Sequence, residues 1–238
     1  MNSCVRLRLW GWLFAFAPVT AVSACVSNDS EIAEGEVSSD LIGGPGVFWP
    51  GSPPMIPVCW ENPSTGSIQG NGFTVAESTA RAWVRDVVEG QWSRYARVNF
   101  TEWDTCAAGD LGVHIHINKT GGSSAPGGTS GNGVTNGVQL NIYFNDRAAD
   151  CQANQANLQR CVQATALHEL GHVIGFGHEE SRPDYPAGGT GDCAKQPSSP
   201  DGVSYGAYDI DSVMSYCGQP VGNIATWKTR LSPGNIAA

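Results

Sequence analysis

His168-Glu169-Leu170-Gly171-His172-Val173-Ile174-Gly175-Phe176-Gly177-His178 decides how this chain is read. Residues four apart on a helix lie one turn above each other, so the imidazoles of His168 and His172 can share a single ion. A catalytic zinc site takes three protein ligands and leaves one position open. Gly175 suits the helix end, because a residue without a β-carbon turns the backbone left-handed at no steric cost, and His178 then returns toward the other two rings. Glu169 beside them is the residue type that takes a proton from a water acidified by a metal. Five residues at fixed spacing arise by accident in about one chain of this length in ten thousand, so the pattern is read as a metal site.

The same stretch predicts its own helix, from about Leu158 to Ile174. With Val162 at zero and about 100° per residue, Val162, Ala166, Leu167, Leu170, Val173 and Ile174 fall within an arc of about 140°, which goes to the core. His168 and His172 lie on the opposite side, with Glu169 between them and the apolar stripe, so the rings face a cleft. Cys161 points the same way as the histidines but sits about 10 Å away along the axis, and a disulfide is its expected fate.

Working outward, Thr74 and Glu77 have the spacing of a capping box. The helix they would start carries Ala76, Ala80, Trp83, Val84, Val87 and Val88 on one face, a stripe that packs in the core. Ile56 to Trp60, Arg97 to Trp103, Gly112 to Asn118 and Val138 to Phe144 read as strands from alternation and β-branched content. A Gly- and Ser-rich tract from Thr120 to Gly137 reads as a long surface loop, a kind of segment that is often functional. His114 and His116 share one strand face and could hold a second ion, but no further His remains to complete that site, and a polar strand face is the expected role.

The ends and the composition set the compartment. Arg6 and Arg8 followed by an apolar stretch from Leu9 to Val22 read as an export signal over residues 1–24, too short to span a membrane as a helix. Val22-Ser23-Ala24-Cys25 fits a bacterial lipobox with a lipid on Cys25, and it also fits ordinary cleavage after Ala24. The product is an exported cell-surface or outer-membrane lipoprotein in one case and a secreted protein in the other. Residues 25–46 are acidic and poor in core-forming side chains, a tether or pro-segment, which leaves 47–238 as the folded domain. Apart from Cys4 and Cys25 there remain Cys59, Cys106, Cys151, Cys161, Cys193 and Cys217, an even set that allows fifteen disulfide connectivities; pairing of near neighbours is the expectation, Cys59 with Cys106, Cys151 with Cys161 and Cys193 with Cys217. A net charge of −9 with only 13 Lys and Arg residues excludes nucleic acid as a partner.

His168 to His178 resembles the zinc motif of the metzincin metalloendopeptidases. The continuation His178-Glu179-Glu180-Ser181-Arg182-Pro183-Asp184 is similar to the astacin branch, and Tyr208-Asp209-Ile210-Asp211-Ser212-Val213-Met214-Ser215-Tyr216 resembles the astacin Met-turn segment. The resemblance implies an α+β metzincin-like (zincin) catalytic domain: a twisted mixed sheet of about five strands, two long helices and an irregular C-terminal subdomain. It also implies one catalytic Zn2+ on His168, His172 and His178, with Glu169 as general base and Tyr216 as a second catalytic group. Gly175, Met214 and Glu179 would support the site, Met214 as its apolar floor. In astacins the Glu after the third His pairs with the amino group of a trimmed terminus; here Glu179 has that partner or another, such as Arg182. Ser215 stands where astacins usually have His, the cysteine spacing departs from theirs, and the closing helix is short or absent. The implied protein is a monomer that cleaves protein or peptide substrates. The rival readings are a matrixin-like protease and a zinc-stabilised surface lipoprotein that binds without cleaving.

Overall fold

The computed structural model describes residues 39–41, 47–146, 149–186, 188–198, 202–219 and 223–237. The export signal, Cys25 and most of the acidic segment lie outside the described residues. Among the described residues no helix is long and apolar enough to cross a membrane.

In chain order the elements are β1 (Ser39–Leu41), β2 (Met55–Trp60), β3 (Ser67–Gly70), β4 (Phe73–Ala76), α1 (Glu77–Val88), β5 (Asn99–Thr105), β6 (Val113–Asn118), β7 (Val138–Asn141), α2 (Gln155–Val173), β8 (Val203–Tyr205) and α3 (Pro233–Ala237). The main sheet has four strands in the order β5-β2-β6-β7. All three pairings are parallel, so the sheet is smaller and less mixed than expected. Parallel strands need crossovers and cover; α1 lies in the crossover from β2 to β5, and both α1 and α2 share a core with the sheet. An isolated antiparallel bridge, Ser124 to Gln139, lays the Gly-rich tract along the edge of β7. β1, inside the segment read as a tether, pairs antiparallel with β8.

The core is continuous from the sheet into both helices. Ile56, Val58, Val113, Ile115, Ile117, Val138 and Leu140 come from the strands, Ala80, Val84 and Val88 from α1, and Leu158, Val162, Leu167 and Leu170 from α2. The α1 stripe packs as its spacing requires, apart from Ala76, which is exposed. Beyond α1 the backbone widens into a π-helical turn, Glu89–Ser93. That turn presents Trp92, whose indole N–H donates to the Leu167 carbonyl at 2.9 Å while its ring stacks on Phe176 at 5.2 Å. A side chain from outside α2 thus grips the backbone one residue before His168.

Several sequence expectations give way to tertiary structure. Thr74 does not cap α1: it lies in β4 of a hairpin with β3, and its hydroxyl donates to Gln69. Ala76 holds the N-cap position without a side-chain bond. The strand expected over Arg97 to Trp103 lies two residues later, because Trp103 is an extra residue between the pairs Val58–Glu102 and Cys59–Asp104, a bulge that breaks the alternation. β7 ends at Asn141 rather than Phe144. The closing helix is present and short. The three disulfides follow the near-neighbour pairing: Cys59–Cys106, Cys151–Cys161 and Cys193–Cys217. The His114 ring bonds Glu61 at 2.8 Å and the Asp110 carbonyl at 3.1 Å.

Glu77 does more than start a helix. Only 1% exposed, it accepts from the Ser64 amide at 2.7 Å, the Ser64 hydroxyl at 2.7 Å and the Tyr143 hydroxyl at 2.6 Å. Burial pushes its pKa up, but the hydrogen bonds from Tyr143 and Ser64 and the charge of Arg81 outweigh burial and leave it lowered from 4.5. Burial and the bond to Glu77 push Tyr143 up to about 12. A carboxyl whose folded pKa is lowered stabilises fully above its unfolded value, and that contribution is lost as pH falls through the folded one. Glu77→Ala is expected to cost about 3 kcal/mol in urea unfolding at pH 7, because it leaves buried donors without an acceptor. Glu77→Gln should cost less and remove part of the stability loss seen as wild type is taken below about pH 4.5.

Candidate active site

His168 and His172 project from the last turn and a half of α2, and the chain leaves that helix by a sharp reversal. Gly175 takes φ +107°, a conformation that a β-branched or bulky residue would resist. The Phe176 amide donates back to the Gly171 carbonyl at 3.0 Å, which closes the turn and sends the chain to His178. His178 Nε2 lies 3.2 Å from His168 Nε2 and 3.0 Å from His172 Nε2.

The other ring nitrogens fix what those short distances mean. His168 Nδ1 lies 2.9 Å from the Val213 carbonyl, His172 Nδ1 2.8 Å from the Phe176 carbonyl, and His178 Nδ1 2.8 Å from Gln196 Oε1. A carbonyl oxygen can only accept, so each Nδ1 carries the proton and each Nε2 turns a lone pair toward the same point. Burial holds the rings neutral: it drives His168 well below the ordinary histidine range, with help from the other two rings, takes His172 down to about 4, and lowers His178. Three neutral imidazoles with converging lone pairs have no proton to share, and a cation satisfies them. The donor set suits zinc, which takes imidazole nitrogen in sites of this kind.

Around the rings the remaining sequence-predicted residues come together. Glu169 is 6% exposed and borders the cleft that holds His168, and burial pushes its carboxyl up to about 8. The Tyr216 ring packs 4.5 Å from His178 and 5.0 Å from His168, centroid to centroid. Met214 is fully buried beneath α2, so close that a β-carbon on Gly171 would come within 2.5 Å of its sulfur and 3.1 Å of Trp92. Gly171 is therefore fixed by packing. Glu179 is fully buried, 3.5 Å from the Arg182 guanidinium, and accepts from the Asp209 amide at 3.2 Å.

Three residues have roles here that motif reading did not assign, Gln196, Glu180 and Asn235, and a fourth, Arg182, does more than sit beside Glu179. Gln196 orients His178, and no spacing rule announces it. Glu180, fully buried, accepts from the Ser215 hydroxyl and the Cys217 amide, both at 3.0 Å, and so fixes the Met-turn from below. Asn235 of α3 accepts from the Val213 amide at 3.0 Å and donates to Ser212 at 2.9 Å. Arg182 spans Asp184, the Tyr205 carbonyl and the Gly206 carbonyl, and its guanidinium holds the Asp184 carboxyl below the usual range. The one available signal was the run Glu179-Glu180-Ser181-Arg182, too charged to be buried unless its members pair.

No family model matches this chain, and no curated protein does. Solved structures do. A structure of myroilysin superposes with TM-score 0.53 at 20% identity, covering 83% of this chain and 96% of that one. A crystal structure of myroilysin gives TM-score 0.49 at 18% identity, with coverage of 85% and 89%. High choriolytic enzyme 1, a hatching enzyme zinc-protease from Oryzias latipes (Medaka fish), gives 0.42 at 16% identity over 80% and 90%. The described domain has the metzincin fold, α+β with a parallel sheet, so the resemblance read from the motifs holds at the level of fold. What the fold carries is a three-imidazole metal-binding group at the end of its second long helix.

Gln196 offers the sharpest check of this geometry. Removing the acceptor from a ligand's far nitrogen frees the ring to turn and lowers its basicity, which typically weakens metal binding by about 10- to 100-fold. Gln196→Ala should lose zinc affinity by that factor in competition with a chromogenic chelator, and His178→Ala should lose more.

Proposed function

We propose that this chain is a zinc-dependent endopeptidase, and the observation that carries the reading is the convergence of three Nδ1-anchored imidazoles beside a buried carboxyl in an open cleft. One Zn2+ on His168, His172 and His178, when bound, supplies Lewis acidity to a water and to a peptide carbonyl. Glu169 takes the water's proton as general base and later delivers it to the leaving amine. Tyr216, packed on two of the ligand rings, donates a hydrogen bond to the oxyanion that forms. Gly121, Gly122 and Ser123 line the same cleft, and they belong to the segment that runs antiparallel along β7. An extended substrate adds there as one more strand.

A non-catalytic binding protein would need the three histidines and not Glu169. Glu169 borders the same cleft as His168, where a binding scaffold has no use for a carboxyl, which favours the enzyme. Glu169→Ala should retain one equivalent of zinc and the wild-type fold and lose at least about 100-fold in kcat on a quenched peptide. Tyr216→Phe should lose about 10²-fold in kcat with KM little changed. Peptide turnover by Glu169→Ala within a few fold of wild type would refute the role given to Glu169.

Export completes the proposal. Three disulfides fit an oxidising compartment, and a zinc protease acting on outside proteins needs export. We place Cys25 as the lipid-bearing first residue of the mature chain, which acts as a monomer on protein substrates. Mass spectrometry of the mature terminus should find a diacylated or triacylated Cys25 peptide; an unmodified terminus at Cys25 would leave a freely secreted enzyme.

A further inference from the structure

A disulfide borders the cleft that holds His168 and Glu169. Both Cys193 and Cys217 line it, beside Thr190 and Tyr216, and both are half-buried. The other two bridges do not line it. Cys151 and Cys161 are fully buried, and Cys59 is 6% exposed beside a half-buried Cys106. Cys193–Cys217 is thus the bridge whose two cysteines are both open to a reagent in solvent, and access governs the rate of disulfide exchange. Its place in the chain ties it to the chemistry. Cys217 directly follows Tyr216, and Cys193 lies three residues before Gln196, whose side chain aims His178. The loop it closes, with a sequence separation of 24, also holds β8 and Met214. Among the described residues of that loop the buried apolar side chains are Val213 and Met214. A segment with so few apolar anchors draws its order from polar contacts and from the cross-link.

One side chain is placed to help this bond open. Tyr185, which is buried, donates its O–H to the Cys193 carbonyl. Its oxygen lies 3.4 Å from the Cys193 sulfur and 3.2 Å from the Cys217 sulfur. A phenol keeps its proton at neutral pH, and a turn about its C–O bond directs the O–H at whichever sulfur becomes a thiolate. Hydrogen bonds to an ionised acceptor are stronger than those to a neutral one, so the departing thiolate gains more from Tyr185 than the intact bridge does.

We infer that Cys193–Cys217 is a redox-active site that gates the cleft: closed, it holds Tyr216 and Gln196 to the ligand rings, and opened by a dithiol it releases both. The inference rests on the endopeptidase reading and supplies its regulation. A thiolate of the dithiol attacks one sulfur to form a mixed disulfide, while the other cysteine leaves as a thiolate and takes up a proton. The reductant's second thiol, deprotonated, then displaces the first cysteine, which is protonated in turn. Two electrons have passed to Cys193 and Cys217, which end as thiols, and the dithiol ends as a disulfide. Exchange with a disulfide oxidant runs the same steps backward and closes the bridge. A chain made in a reducing compartment is therefore silent until it reaches an oxidising one.

The test treats the full zinc-loaded chain, with zinc in excess, with a trialkylphosphine under native conditions. Alkylation of timed samples and peptide mass spectrometry should find Cys193 and Cys217 labelled at least about tenfold faster than the other four bridged cysteines. Turnover of a quenched peptide should fall by at least about tenfold as that bridge opens, and should return on re-oxidation. The double variant Cys193→Ser, Cys217→Ser should show the lowered kcat from the start and lose no more of it to the phosphine. Tyr185→Phe should slow the opening by at least about threefold. Undiminished turnover by a chain whose Cys193 and Cys217 are fully alkylated, or labelling that begins at another bridge, overturns the gate and leaves the endopeptidase standing. An opening rate that Tyr185→Phe leaves unchanged removes the part given to that hydroxyl. A fully oxidised, zinc-loaded chain that cuts no peptide removes the endopeptidase reading and the gate with it.

Discussion

Three lone pairs aimed at one point form the constraint on which the rest of this structure depends. Each imidazole is aimed by an acceptor from a different part of the chain: the Val213 carbonyl in the Met-turn, the Phe176 carbonyl in the reversal after α2, and the Gln196 side chain farther on. Neutral rings whose nitrogens lie 3.0 to 3.2 Å apart repel unless a cation lies between them. The residues that would hold a metal, His168, His172 and His178, are tied to those three segments, so a bound cation would add its binding free energy to the folding of the irregular half of the domain. That half has little regular structure of its own, with β8 and α3 its longest elements at three and five residues.

Ionic contacts do the second part of the work. Glu179, Glu180 and Arg182 are all fully buried, within four residues of the last zinc ligand candidate. Burying charge is costly unless every group finds a partner, and a run of this kind gains little net stability over an apolar core. What it provides is position. Glu180 reaches Ser215 and Cys217, Glu179 reaches the Asp209 amide, and Arg182 reaches the backbone at Tyr205 and Gly206, so one short helical turn registers the whole segment from Tyr205 to Cys217. The Cys193–Cys217 bridge closes the same region covalently.

How much of this was legible in the sequence follows from the range of each interaction. The zinc motif and the α1 stripe obey helical spacing, a rule internal to one element: the three imidazoles come together, and the α1 stripe packs except at Ala76. The disulfides pair close neighbours in sequence and hold as well. The failures share a different cause. Thr74 and Glu77 have capping-box spacing, yet Glu77 turns to Tyr143, 66 residues away, and Thr74 pairs in a hairpin instead. The Asn71-Gly72 turn of that hairpin is a strong local signal, but with only Ile68 and Val75 buried the flanking strands are too short to announce themselves. The wheel set the histidines opposite the apolar arc; in the structure His168 is buried too, because the C-terminal segments fold over that side of α2. Periodicity separates faces and cannot say whether a polar face meets water or a second layer of protein.

The Gly-rich tract joins these levels. As a loop it is unremarkable in composition, and its role emerges only where it lies along β7, with Gly121 tied to Asp146 on one side and to Asn141 on the other. Asn141 is the last residue of β7, so the sheet edge, the rim of the cleft at Gly121 and the left-handed backbone of Phe144 are set by one side chain at the point where the strand ends. Ligand sites in parallel sheets sit beyond the carboxyl ends of strands because connections diverge there and leave space. Here that space is bounded by a polar clamp on the sheet side and by the imidazoles of α2 on the other. β7 packs against α2, and Val138 and Leu140 of the strand share one core with Leu167 and Leu170 of the helix.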